Sequence, residues 1–220
     1  MSITRYKLTD QDMRTYNGFQ WTLGVKASVE GDDKELCSAS WLHCYDDPVL
    51  ALLLNPIHAN IAVPRLFAVR TEGRGLNDRG LKRGYKAMTL VKELPLPNVT
   101  WSVRTAFGIL CAMEVYKVPA WNRWAQAWLN GMNRIDVYAA ANAAAYAYAA
   151  ARVYANARAN AYVNANAAYA RAAAYAAYAA ADAVRATRAA VYAAHAAADA
   201  AAAATLPLVQ LANSALAYAK

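Results

Sequence analysis

Apolar residues in the first 94 positions occur in short runs that are separated by glycine, proline and small polar residues. The runs are rich in aromatic and β-branched residues, a composition typical of β-strands bounded by turns. The sequence therefore predicts four strands, over residues 19–22, 41–45, 66–70 and 85–91.

A helix is predicted between the second and third of these strands. Asp47 can cap its N-terminus, and Pro48 suits its first turn because the missing N–H would have no intrahelical partner there. We expect Asn55-Pro56 to end this helix. Its apolar face is formed by three leucines, Leu50, Leu53 and Leu54.

The period of the apolar pattern changes after Pro95-Leu96-Pro97. From 99 to 116 the apolar positions recur every three or four residues, which predicts a core helix. Pro119 is expected to begin a second helix with a stripe of three tryptophans, and Gly131 is its expected C-cap. The predicted fold class is an α+β head, with a small β-rich domain over 1–98 and a helical part over 99–131.

The composition then becomes extreme. Alanine accounts for 40 of the 67 residues from 138 to 204, and neither glycine nor proline occurs between 132 and 206. Alanine has the highest intrinsic helix propensity, so a helix is expected, and one continuous helix over 138–204 would measure about 100 Å.

Residues 152–166 depart from the helical pattern, because tyrosine, asparagine and arginine recur there at every second position. Asparagine tolerates turns, so a helical hairpin could reverse within this stretch. The sequence leaves two structures open, a long alanine-rich α-helix and an antiparallel helical hairpin. Residues 205–207 should end the segment, and 208–220 should form a C-terminal tail or short helix.

Large side chains between 171 and 199 are spaced three or four residues apart, which places them in one stripe of a helix. The rest of that helix surface is methyl groups, which need a partner that covers them. Small side chains allow a second helix to approach closely. We therefore expect a homo-oligomer or a helical partner protein, with candidate interaction residues Arg171, Tyr175, Tyr178, Arg185, Arg188 and Tyr192.

The formal charge of +8 permits contact with a polyanion. The densest basic stretch alternates with glycines and has neither a Walker pattern nor Gly-x-Gly-x-x-Gly, so it predicts at most an anion-binding loop. Together with the helix stripe it supports an alternative function, the binding of nucleic acid or another polyanion. The candidate anion loop comprises Arg74, Arg79, Lys82, Arg83 and Lys86.

Soft metal ligands are few and poorly spaced for zinc. His43 and Cys44 are adjacent, so on a strand they would point to opposite faces. We expect buried thiols and a hydrogen-bonded histidine, and no catalytic residue, metal or cofactor is predicted. The residues considered are Cys37, His43, Cys44, His58 and Cys111, together with the carboxylates Glu35, Asp46 and Asp47.

The N-terminus lacks the apolar region of a signal peptide. The sequence also contains no run of eighteen apolar residues, the length that a membrane span needs. Three irregularly spaced cysteines are typical of reduced thiols in the cytoplasm. We therefore expect synthesis in the cytoplasm and no membrane span.

Four short segments follow one another in a recognisable order: Gly18-Phe19-Gln20-Trp21, Leu36-Cys37, Trp41-Leu42-His43-Cys44 and Arg65-Leu66-Phe67. In this order the chain, over roughly residues 14–130, resembles an uncharacterised domain of bacteriophage and bacterial proteins. Many members have Gly-Phe-His-x-Cys where this chain has Trp41-Leu42-His43-Cys44, so a site built on that spacing is not carried over. The resemblance implies a phage or prophage setting, in the host cytoplasm or in the virion, and supplies no activity.

The leading prediction is a non-enzymatic, phage-associated structural or interaction protein whose alanine-rich helices mediate self-association or docking. Besides polyanion binding, a second alternative is an ADP-ribosyltransferase-like enzyme or a degenerate relative. That alternative is an analogy of fold, drawn from the order of a strand, a turn, an aromatic-His strand and a helix.

Overall fold

In the computed structural model the chain divides into two compact units, Met1–Asn98 and Val99–Lys220. The alanine-rich segment 138–204, with the six candidate interaction residues of its stripe, lies outside the described residues. The structure describes residues 4–34, 36, 38–78, 80–115, 119–132 and 207–219.

The described residues of the first unit form antiparallel strands and one α-helix, which confirms the predicted α+β class of the head. Its strands form a four-stranded sheet in the order β1-β4-β7-β2 and a three-stranded sheet in the order β3-β6-β5. The elements are β1 Arg5–Thr9, β2 Lys26–Ser28, β3 Leu42–Cys44, α1 Pro48–His58, β4 Arg65–Glu72, β5 Leu76–Asp78, β6 Lys82–Tyr85 and β7 Ala87–Leu94.

Backbone pairing and chain continuity join the two sheets into a closed ring of strands. Tyr6 of β1 and Tyr45, which follows β3, exchange two backbone hydrogen bonds of 2.9 and 2.8 Å. On the other side, β6 runs through Lys86 into β7. The path from β1 through β4, β7, β6 and β3 therefore returns to β1, and it encloses a core of Trp21, Leu42, Cys44, Phe67, Val69, Met88 and Leu90.

Helix α1 begins as predicted. The Asp47 carboxylate accepts hydrogen bonds from the backbone N–H groups of Val49 and Leu50 at 2.8 and 2.9 Å, and Pro48 occupies the first turn. All three leucines of the predicted face are fully buried, and α1 packs against β1.

The predicted end of α1 at Asn55-Pro56 is wrong, because the helix continues to His58. Proline within a helix removes one backbone hydrogen bond and crowds the preceding turn. Here the Asn55 side chain fixes the chain beyond the helix, since its amide donates to the carbonyl of Ile61 at 2.8 Å and accepts from the Ile61 N–H at 3.1 Å. Burial of the leucine face and this side-chain link hold the last turn in place.

The structure confirms strands over the predicted segments 41–45 and 66–70, and it divides 85–91 between β6 and β7 at Lys86. The strand predicted over 19–22 is wrong, since Gln20 forms only an isolated bridge with Arg14. Trp21 is buried in the core instead, and its indole N–H donates to the Thr15 hydroxyl at 3.0 Å. This apolar run fills the core from a loop and does not pair in a sheet.

The described part of the second unit is helical. Helix α2 spans Trp101–Val115, α3 spans Pro119–Leu129 and α4 spans Leu208–Ala215. Helix α2 contacts both α3 and α4. Gly131 caps α3 as expected, with φ of +85° and the two hydrogen bonds of a Schellman motif, from Gly131 N–H to Trp128 O and from Met132 N–H to Ala127 O.

We expect Asp47→Ala to lower the free energy of unfolding by about 1 kcal/mol, because two N–H groups of the first turn of α1 lose their acceptor. The measurement is urea denaturation followed by circular dichroism. Asp32→Ala, in an exposed loop, is the matched control. Equal stability of the two variants would contradict the capping role.

Candidate functional site

The register of three neighbouring strands brings charged side chains together at one rim of the closed core. Because Tyr6 pairs with Tyr45 in antiparallel fashion, Arg5 lies opposite Asp46 and Lys7 lies opposite Cys44. Cys44 is paired in turn with Arg83 of β6. We call these five residues, Arg5, Lys7, Cys44, Asp46 and Arg83, the rim cluster.

Asp46 joins two arginines of the rim cluster. Both of its carboxylate oxygens lie 2.7 Å from Nε of Arg83, and Oδ1 lies 3.0 Å from Nε of Arg5. The Arg5 Nε–H is buried without making a hydrogen bond, so its contact with Asp46 is an ion pair whose geometry is not that of a hydrogen bond. The side chain of Arg5 is 10% exposed and that of Arg83 is 28% exposed, so the cluster opens to solvent on the Arg83 side.

Lys7 is a buried amine inside the core. Its Nζ donates to the backbone carbonyl of His43 at 2.7 Å and lies 4.6 Å from the centroid of the Trp21 ring. Burial lowers the pKa of the Lys7 ammonium to about 8. The hydrogen bond and the cation–π contact offset part of the loss of hydration.

Cys44 is fully buried between these cations. Burial raises the pKa of the Cys44 thiol to about 12, and the nearby charges of Lys7, Arg5 and Arg83 lower it only in part. The predicted buried thiol is therefore confirmed for Cys44. Because the thiolate is the nucleophilic form, Cys44 is not an activated nucleophile at neutral pH in this conformation.

His43 points away from the rim cluster, as the alternation along a strand predicts. Its Nε2–H donates to the carbonyl of Leu36 at 2.6 Å. Burial lowers the pKa of the His43 imidazole to about 4, despite that hydrogen bond, and Lys82 and Lys7 lower it further. The ring is therefore neutral at physiological pH, with Nε2 protonated.

His58 has a different neighbour. Its Nδ1 lies 3.2 Å from the hydroxyl of Tyr45, and the two rings stack with centroids 5.9 Å apart. Burial raises the pKa of the Tyr45 hydroxyl. Each of the two histidines is thus held by its own contacts, which orient the ring within the fold.

The basic stretch predicted as an anion loop is divided among several elements. Arg74 is exposed in the turn after β4, whereas Lys82 and Arg83 lie within β6 and Lys82 is buried. Lys86 donates to the backbone carbonyls of Gly31 and Ser40 at 2.6 and 2.7 Å, and it lies 3.9 Å from the Trp41 ring centroid. Arg79 lies outside the described residues.

Within the ranges that the structure describes, no three or more His, Cys, Asp or Glu side chains are grouped so that they could hold a metal ion. Cys37 and Glu35 lie outside those ranges, as do the six stripe residues from Arg171 to Tyr192. Among the described helices, none is long and apolar enough to cross a bilayer.

Sequence reasoning missed Arg5 and Lys7. Charged and apolar residues alternate along β1, a pattern that predicts a strand with its charged side in water. The structure turns that side inward, since Arg5 and Lys7 are 8% and 6% exposed. The alternation could have identified the strand, but it would have indicated the opposite face for burial.

Comparison of the chain with protein-family models, curated proteins and solved structures gave no match. The resemblance to a phage and bacterial domain therefore has no support from a matching family model.

Lys7→Met should remove a dependence of stability on pH. The pKa of Lys7 is about 8 in the folded chain against a usual 10.5, so folding is opposed by about 3 kcal/mol below pH 8. That penalty declines as the pH rises from 8 to 10.5, because over this range the folded chain has released the Lys7 proton whereas the unfolded chain still binds it. The wild type should gain stability over this range relative to Lys7→Met.

The measurement is urea denaturation at a series of pH values from 7 to 10.5. The raised pKa of the Cys44 thiol gives the opposite trend in both proteins, so most of that trend cancels in the difference between them. Lys26→Met, at an exposed lysine paired with Glu72, is the control and should follow the wild type. A constant difference between wild type and Lys7→Met would contradict the lowered pKa.

Proposed function

We propose that the protein is a non-enzymatic structural or interaction protein in which the alanine-rich segment 138–204 mediates self-association or docking to a helical partner. The observation that carries the proposal is the composition of that segment, where 40 of 67 residues are alanine. Methyl surfaces of this extent need a cover in water, and small side chains favour close helix packing. The bacteriophage setting rests on the resemblance alone.

The contacts of the head favour this proposal over an enzyme. His43 uses its N–H on a backbone carbonyl, Cys44 is a buried protonated thiol, and Lys7 is enclosed beside Trp21. Catalytic groups need a protonation state and an access route that suit the reaction. These three groups are instead occupied by internal packing.

Of the two structures that the sequence allows for the alanine-rich segment, a long helix and a helical hairpin, we infer the hairpin. A straight helix from residue 132 to 207 would be about 112 Å long. The helices on either side of this stretch, α3 and α4, both contact α2. A path through α3, α2 and α4 therefore sets an upper limit on the distance between the two ends of the stretch. Laid end to end, these helices of 11, 15 and 8 residues measure about 51 Å, and crossing from one helix to the next twice adds about 20 Å.

Three further residues after α3 add about 10 Å at most, so the two ends of the stretch are closer than one straight helix requires. We therefore infer that the chain reverses between them. Two hairpins packed through their alanine faces would give a four-helix arrangement, which makes a homodimer the simplest assembly. The stripe of Arg171, Tyr175, Tyr178, Arg185, Arg188 and Tyr192 would then lie at the edge of that contact.

The polyanion alternative has less support in the head. Arg83 pairs with Asp46, whereas Lys86 is bonded to the backbone carbonyls of Gly31 and Ser40, so the basic stretch does not present one continuous surface to a polyanion. Binding through the helix stripe remains the form of that alternative to be tested. A salt-dependent affinity for nucleic acid would favour it.

We expect light scattering of the full-length protein to give a multiple of the 23.8 kDa chain mass. Ala183→Lys should reduce the association at least tenfold, because position 183 lies opposite the stripe on a helix and a lysine there would obstruct close packing. Ala189→Lys is the matched control, since position 189 falls within the stripe. Its association should be nearly that of the wild type.

A monomeric wild-type protein at high concentration would refute self-association. Equal effects of the two lysine substitutions would refute the assignment of the alanine face. Circular dichroism of both variants checks that helix content is unchanged.

A further inference from the structure

We propose that the rim cluster binds a terminal phosphate group, held between the guanidinium groups of Arg5 and Arg83. The inference concerns the head alone and does not depend on the alanine-rich segment.

Charge in the rim cluster is unbalanced. Arg5, Lys7 and Arg83 carry positive charge at neutral pH, and Asp46 supplies one negative charge. The strand register places all four near Cys44, because Lys7 and Arg83 are its partners on the two neighbouring strands and the Arg5–Asp46 pair lies beside that row. Three buried or half-buried cations close together favour an additional anion, because their mutual repulsion is poorly screened away from water.

The arginines of the cluster also have unused hydrogen-bond donors. Arg83 reaches Asp46 through Nε alone, and Arg5 makes an ion pair with Asp46 but no hydrogen bond with any described residue. Each guanidinium has five N–H donors in a planar fork that matches an oxyanion. Since Arg5 is only 8% exposed, its donors cannot all be satisfied by bulk water.

Arg65 in the same domain shows how a purely structural arginine is satisfied. Its Nε and Nη2 donate to the two oxygens of Glu93 at 2.9 and 2.7 Å, and its Nη1 donates to the carbonyl of Gln11 at 3.1 Å. Arg65 therefore uses three of its nitrogens, although its side chain is as exposed as that of Arg83, at 28%. The contrast indicates that Arg5 and Arg83 are arranged for a group beyond their own carboxylate.

The limited opening selects the kind of oxyanion. Asp46 and Arg83 are 21% and 28% exposed, whereas the Arg5 side chain behind them is 10% exposed. A group that reaches Arg5 must therefore enter end-on. A phosphate monoester has three terminal oxygens and nearly two negative charges, whereas a diester in a nucleic-acid backbone continues on both sides.

The test is calorimetric titration of the full-length protein with adenosine 5′-monophosphate and, as a matched ligand, adenosine 3′,5′-cyclic monophosphate. We expect saturable binding of the monoester and at least tenfold weaker binding of the cyclic diester, which has one charge fewer. Inorganic phosphate should compete. If it binds as tightly as the nucleotide, free phosphate is the ligand that the site accepts.

Arg83→Gln should weaken binding of the monoester at least tenfold, because a charge-assisted fork is lost. Arg83→Lys keeps the charge and should still weaken it, since a lysine cannot make the planar double contact. Arg65→Gln is the control and should bind as the wild type does. Thermal melting of each variant separates loss of binding from loss of fold.

Absence of binding to both the monoester and phosphate at millimolar concentration would overturn the proposal. Equal binding by Arg83→Gln and the wild type, both folded, would do the same. Equal affinity for the cyclic diester or for a single-stranded oligonucleotide would show a general polyanion surface in place of a terminal-phosphate site.

Discussion

The paired backbone hydrogen bonds between Tyr6 and Tyr45 are the contact on which the head depends. They close the path of strands and fix the register of β1 against β3. A slip of one residue in a strand turns every side chain to the opposite face. In this domain such a slip would move Lys7 away from Cys44 and separate Arg5 from Asp46. The register of β1 against β3 therefore fixes both the core and the rim cluster.

Placing Lys7 and Arg5 inside that closed path is energetically unfavourable in itself. An apolar residue of similar size would avoid the desolvation that lowers the pKa of Lys7. Departures from the rule that strands bury their apolar side are concentrated at functional sites in proteins. The internal cations of β1 are such a departure, and the proposed phosphate site would account for Arg5.

The folds of the two units are stabilised by different kinds of contact. The head is held by non-local strand pairing around a core that includes Trp21 and Phe67. The described part of the second unit is held by helix faces, with α2 packing on both α3 and α4.

Local chemistry was sufficient to predict several features from the sequence: the Asp47 cap, the Pro48 first turn and the Gly131 cap, since each depends only on residues a few positions away. Tertiary structure decided the rest. Pro56 stays within α1 because buried packing outweighs its local preference, and Trp21 fills the core from a loop. The sequence alone identified Arg83 as a cation and Asp46 as a carboxylate, but they are 37 positions apart. Only the closing of the strands brings them together and turns the charged side of β1 toward the core.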